Sequence, residues 1–132
     1  MKKTISVLSV LFLFICCSKD KENKSSETAE FIGRWKLTQV LSDPGDGSGV
    51  YQNVTENKTI EFLTNGTVVA NYSLCSDGNV LTAPYFADEN YILPNNCFAA
   101  GLNIHYQLEG NNLILYYPCI EACSYKFEKL TN

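Results

Sequence analysis

The chain has one histidine, one tryptophan and one methionine in 132 residues, and no block of Lys and Arg interleaves with aromatic side chains. Without a basic aromatic stripe there is no footprint for a phosphate backbone, so nucleic acid is not an expected partner. Catalysis needs convergent titratable groups, and the lone His105 falls on the polar phase of a strand, where it is expected to face solvent. No nucleophile elbow and no His-Glu-x-x-His are present, and Gly45, Gly47 and Gly49 lack the lysine and the strand-to-helix context of a phosphate loop. Asp43, Asp46 and Asp77 do not follow the calcium-ladder spacing and no Glu closes them. No segment has a helical period. The expectation is a non-enzymatic protein with no cofactor and no metal.

A run long enough to stay in a membrane is also missing. After Lys2 and Lys3 the chain is apolar from Ile5 to Cys17 and then turns abruptly to Ser18-Lys19-Asp20-Lys21-Glu22. A spanning helix needs roughly 20 apolar residues, so this shorter segment reads as an export signal. Its end, Leu13-Phe14-Ile15-Cys16-Cys17, resembles the lipobox of bacterial lipoprotein signals, in which a small residue precedes the cysteine that is lipidated. Cutting before Cys16 would place bulky Ile15 at the last signal position. The expected products are therefore a signal peptide, 1–16, and a membrane anchor through lipid on Cys17; the competing reading is an ordinary secretory signal with incidental cysteines. Each buried methylene of an acyl chain contributes about 0.8 kcal/mol, so several chains on one cysteine hold a domain at a bilayer without an amphipathic helix.

Residues 17–30 are polar apart from Ala29 and the cysteine, and read as a flexible tether. The precursor has 10 Lys and Arg against 14 Asp and Glu; losing Lys2 and Lys3 with the signal leaves 8 against 14, a formal charge of −6. Setting aside Cys16 and Cys17 leaves Cys75, Cys97, Cys119 and Cys123, an even number, which in an exported chain implies two disulfides. Three pairings are open. Cys75 with Cys97 and Cys119 with Cys123 is preferred, because the second pair flanks an expected hairpin turn. A four-cysteine zinc site would need a second close pair, which the spacing of Cys75 and Cys97 does not supply.

From Phe31 onward the dominant period is two, the mark of half-buried strands. Trp35, Leu37, Gln39 and Leu41 alternate with Arg34, Lys36, Thr38 and Val40, with Gln39 the one polar residue on the apolar face. Thr59–Leu63 meets Asn65-Gly66, a strong hairpin signal, and returns as Thr67–Leu74. Residues 76–100 are less regular; Asp77-Gly78-Asn79, Ala83-Pro84 and Leu93-Pro94-Asn95-Asn96 read as turns around two short strands. Leu102, Ile104, Tyr106 and Leu108 then share one face, Gly110-Asn111-Asn112 turns the chain, and Leu113–Tyr117 and Cys123–Leu130 complete it. The class is all-β: an antiparallel meander closing as a barrel or a sandwich. Tyr72, Tyr106, Tyr117 and Tyr125 lie on apolar phases, where their rings line a cavity or simply reflect the β-propensity of tyrosine.

Phe31-Ile32-Gly33-Arg34-Trp35-Lys36-Leu37 resembles the Gly-x-Trp opening of lipocalins, and Cys119-Ile120-Glu121-Ala122-Cys123 with Tyr125-Lys126-Phe127 is similar to the end of short lipocalin-like lipoproteins of Bacteroidota. The resemblance implies a lipocalin-like domain over 31–132, a closed or partly open barrel of about eight short strands. It also implies that Trp35 plugs the narrow end beneath a cation of the last strand, here Lys126 or Lys129 instead of an arginine. On this reading the candidate cavity lining is Trp35, Phe62, Tyr72, Tyr106, Tyr117 and Phe127, the ligand a small apolar or amphipathic molecule, and the location the outer membrane of a cell envelope, as a monomer. The alternative is an interaction module with a packed core. An eight-stranded barrel is just wide enough to be packed solid or to hold one small ligand, and a cavity of about 300 Å³ or more separates the two.

Overall fold

The alternating pattern closes on itself. A computed structural model describes residues 30–131 apart from 77, 96 and 98–101; the expected signal, Cys16, Cys17, most of the tether and Asp77 lie outside these. Nine strands follow in order: β1 (Gly33–Ser42), β2 (Gln52–Asn53), β3 (Thr59–Phe62), β4 (Thr67–Ala70), β5 (Thr82–Phe86), β6 (Tyr91–Ile92), β7 (Ile104–Glu109), β8 (Asn112–Tyr116) and β9 (Cys123–Lys129). Each of β3 to β9 pairs antiparallel with the next, β1 pairs with β3, and β1 with β9 closes the ring. The result is a closed, lipocalin-like barrel of eight strands, with β2 as an extra short strand beside β1.

The blemish at Gln39 has a structural cause. Trp35 and Leu37 point inward, but the register between β1 and β9 shifts between Leu37 and Gln39, a β-bulge that exchanges the two faces of the strand. Beyond it Val40, not Leu41, packs on the core, and Gln39 turns out to donate to Asn53 Oδ1 at 2.8 Å. The expected phase Trp35–Leu37–Gln39–Leu41 therefore holds for its first half only.

Three other boundaries differ from the sequence pattern. β4 stops at Ala70 instead of continuing to Leu74, because side chains take over the backbone bonding there: Asn71 Oδ1 accepts from Thr59 N and Ser73 Oγ donates to Gly78 O. Ala83-Pro84 is not a turn but the middle of β5. Pro84 accepts from Leu93 N through its carbonyl and has no N–H to return, so the ladder to β6 ends beside it and β6 is only two residues long. Leu102 precedes β7 and is exposed, so the inward row begins at Ile104.

The two hairpins read from sequence form as expected. Gly66 has φ +81° and Thr67 N donates to Asn65 Oδ1, while Gly110 has φ +59° in the two-residue link from β7 to β8.

The barrel interior is filled by a buried apolar cluster. Trp35, Leu37, Ile60, Phe62, Val68, Ile92, Ile104, Leu113, Leu115 and Phe127 are each at most 2% exposed. One end is sealed by the chain entering it: the Phe31 ring lies 5.4 Å from Phe62, 5.5 Å from Tyr85 and 5.3 Å from Tyr106. Trp35 Nε1 donates to Phe31 O at 2.8 Å, and Lys129 Nζ sits 5.2 Å over the Trp35 ring while donating to Glu30 O at 2.5 Å. Of the two lysines considered, Lys129 is the cap; Lys126 instead covers Tyr51, at 4.1 Å from the ring centre. The packed domain accordingly includes the carbonyl of Glu30, one residue earlier than the alternation indicates.

A groove at the barrel mouth

The opposite end is built from the segments between β1 and β3, β4 and β5, β6 and β7, and β8 and β9. Both disulfides lie there. Cys75 pairs with Cys97 (Cα–Cα 5.4 Å) and Cys119 with Cys123 (6.0 Å), the pairing preferred from sequence.

Between these segments runs a groove of about 660 Å³. Val40, Val54 and Leu74 give it apolar walls, Tyr117 and Tyr125 contribute aromatic surface, and Cys75, Cys119 and Cys123 place both disulfides along it. Its floor is an aromatic layer continuous with the core. Tyr117 and Tyr125 have ring centres 4.7 Å apart, and Tyr72 stacks on Phe127 at 6.4 Å. The hydroxyls of Tyr72 and Tyr117 are 3.2 Å apart. Burial above all holds both well above the ordinary tyrosine range, with Tyr125 adding to it and the bond to Tyr72 partly offsetting it at Tyr117, so they stay neutral at any physiological pH.

The charged groups of the groove come from the short segment between β2 and β3. Lys58 Nζ lies 5.8 Å from the centre of the Tyr72 ring and 5.9 Å from that of Tyr125, and 2.5 Å from Glu56 Oε2. The backbone around Lys58 is pinned on three sides. Leu37 N donates to Lys58 O, and the Asn71 side chain donates to Asn57 O while accepting from Thr59 N. Two residues apart on an extended segment, Glu56 and Lys58 share one side.

The glycine-rich loop after β1 is organised by a carboxylate. Asp43 Oδ1 accepts from Gly45 N (2.7 Å) and Gly47 N (3.0 Å), and Oδ2 from Gly49 N (2.7 Å). These backbone donors lower the Asp43 pKa, Gly49 most of all. A Cβ on Gly49 would lie 2.7 Å from Asp43 Oδ2 and 2.9 Å from its Cα, which is why glycine stands there. Asp43 thus spends its oxygens on its own loop, and among the described residues no three His, Cys, Asp or Glu come together as a metal centre. Beside the groove a smaller depression of about 350 Å³ runs over Tyr51, Tyr116 and Ser124, with Tyr51 OH 2.7 Å from Ser124 Oγ. Ile120, at the tip of the Cys119–Cys123 loop, borders both hollows and is fully exposed.

Of the six residues expected to line a cavity, Tyr117 lines the groove and Tyr72 meets it through the hydroxyl pair. Trp35, Phe62, Tyr106 and Phe127 belong to the buried core cluster and are not among the groove's lining residues. Sequence reasoning passed over Lys58 and Glu56. The available signal was Val54, an apolar residue alone in a polar stretch, with two opposite charges at alternate positions after it. His105 is exposed, 6.3 Å from the Tyr91 ring and paired across the sheet with Tyr116, and it does not line the groove. No protein-family model, curated protein or solved structure matches the chain.

Proposed function

We propose that this is a non-catalytic, lipid-anchored lipoprotein of the cell envelope whose barrel binds one small apolar or amphipathic molecule at its mouth. The observation that carries the binding reading is the groove. At about 660 Å³ it lies well inside the range of small-molecule sites, roughly 300–1,000 Å³, and a mostly apolar lining with a few convergent polar groups is their usual composition. The anchoring reading is supported by the apolar leader that ends at Cys17 and by the polar stretch after it. The polar rim and the lack of a basic patch favour a small ligand over nucleic acid. The one histidine lies outside the groove, which supports binding over catalysis.

A second reading, an interaction module, is favoured by Ile120, whose aliphatic side chain stands fully in solvent on a disulfide-braced loop. Two measurements test the proposal. Cys17→Ala should move the protein from the membrane fraction to the soluble one, and retention in the membrane overturns the anchor. Saturable binding of 1-decanol by calorimetry should be lost in Val54→Trp, which fills the groove from its wall; binding that survives this change refutes the groove as the site.

A further inference from the structure

We infer that the ligand of the mouth groove carries a carboxylate head, and that Glu56 is a built-in competitor for the cation that receives it. The inference rests on the groove being the binding site and adds the chemistry of what it takes.

The first support is charge. Lys58 is the one basic residue among the described lining residues, and its ammonium lies 5.8 and 5.9 Å from the ring centres of Tyr72 and Tyr125, an attraction independent of Glu56. Its backbone is fixed by Leu37 and Asn71, so the cation is presented, not trailing.

The second support is a hydrogen-bond count. Tyr72 and Tyr117 share one hydrogen between their two hydroxyls, which leaves one O–H without an acceptor among the described residues; the Tyr125 hydroxyl has none either. Their surroundings keep the phenols of Tyr72 and Tyr117 protonated. The floor therefore offers donors and a cation, and the one carboxylate among the lining residues is that of Glu56. A carboxylate completes this set, accepting from the free hydroxyl hydrogens and meeting the cation.

The third support is geometric. A carboxylate already sits on Lys58 at 2.5 Å, so the ammonium has the space and orientation for that group. Lys58 is 33% and Glu56 55% exposed, and an ion pair this open contributes little, so a ligand with an apolar tail in the groove displaces Glu56 into water at small cost.

The test uses the full chain with Cys16→Ser and Cys17→Ser, recovered without detergent, titrated with decanoate and with 1-decanol of the same chain length. Decanoate should bind about tenfold or more tighter than 1-decanol. Lys58→Gln should erase that preference. Glu56→Gln should tighten decanoate severalfold, the opposite sign from a residue that merely supports the fold. Equal affinity for the two probes, or decanoate binding indifferent to Lys58→Gln, overturns the carboxylate inference while the groove stands. If neither probe binds, the groove reading itself falls.

Discussion

Replacing Phe31 by alanine tests where the domain begins and how its closed end is held. The ring is 4% exposed and meets Phe62, Tyr85 and Tyr106, so its removal leaves a hole lined by three aromatic faces that cannot collapse without moving strands. Truncations of this kind cost about 3–5 kcal/mol. The bond from Trp35 Nε1 ends on the backbone carbonyl of residue 31 and survives the change, as does the cap of Lys129 on Glu30 O, so the loss is confined to the ring. Against a total stability of about 5–15 kcal/mol this is a fifth or more for a domain of ordinary stability. With a urea slope of about 1–3 kcal/mol/M, the unfolding midpoint should fall by about 1–5 M with the slope unchanged. Urea titration followed by tyrosine fluorescence measures it. A loss below about 1 kcal/mol, the level of an ordinary surface change, would mean that Phe31 belongs to the tether and the barrel closes without it.

The two disulfides should differ in worth. Their separations of 22 and 4 residues correspond in the chain-entropy model to about 3 and about 2 kcal/mol, so Cys75→Ala/Cys97→Ala should melt below Cys119→Ala/Cys123→Ala; the reverse order in calorimetry would refute the loop argument. Alkali should unfold the barrel through its floor. Tyr72 and Tyr117 have folded pKa values raised above the ordinary tyrosine value of about 10, so below that pH they are protonated in both states and their contribution to stability is fully present. As pH rises through 10 the unfolded chain releases protons that the fold retains, and stability falls. Tyr72→Phe/Tyr117→Phe should flatten that decline in melting temperature between about pH 9 and 11; an unchanged slope would show that these phenols do not govern it.

What could be read from the chain was read where one face of a strand is buried and the other wet. β7 shows this best: Ile104 and Tyr106 are buried, His105 and Gln107 exposed, and the pattern is visible in six letters. The Asn65-Gly66 hairpin was equally plain, since positive φ has few residue types to choose from. Pattern fails where a tertiary event shifts phase. Nothing near Thr38 announces a bulge, yet the register shift there decides that Val40 faces the core and Leu41 the rim. Pro84 misled for the opposite reason: proline marks turns on average, but a two-residue neighbour strand leaves it no N–H to miss.

The groove was less legible than the fold because no periodicity gathers it. Its walls come from the end of β1, the link to β3, the link from β4 to β5 and the loop before β9, segments that are turns and tethers to a local reading. The tyrosines were visible as an excess on inward phases, but their height in the barrel was not. Tyr106 sits in the closed end against Phe31, while Tyr117 and Tyr125 reach the mouth, and only the register of β7, β8 and β9 separates them.

That separation gives the barrel two ends with different physics. At one, the entering chain is the seal: Glu30 and Phe31 are bound by Lys129, Trp35 and a ring of aromatics, so a pull on the preceding segment acts on a plug and not on the groove. At the other, long connections that could not hold a shape by burial alone are held covalently by two disulfides and by the three bonds of Asp43. Between the two ends lies the buried core, so the plug and the groove share no lining residue.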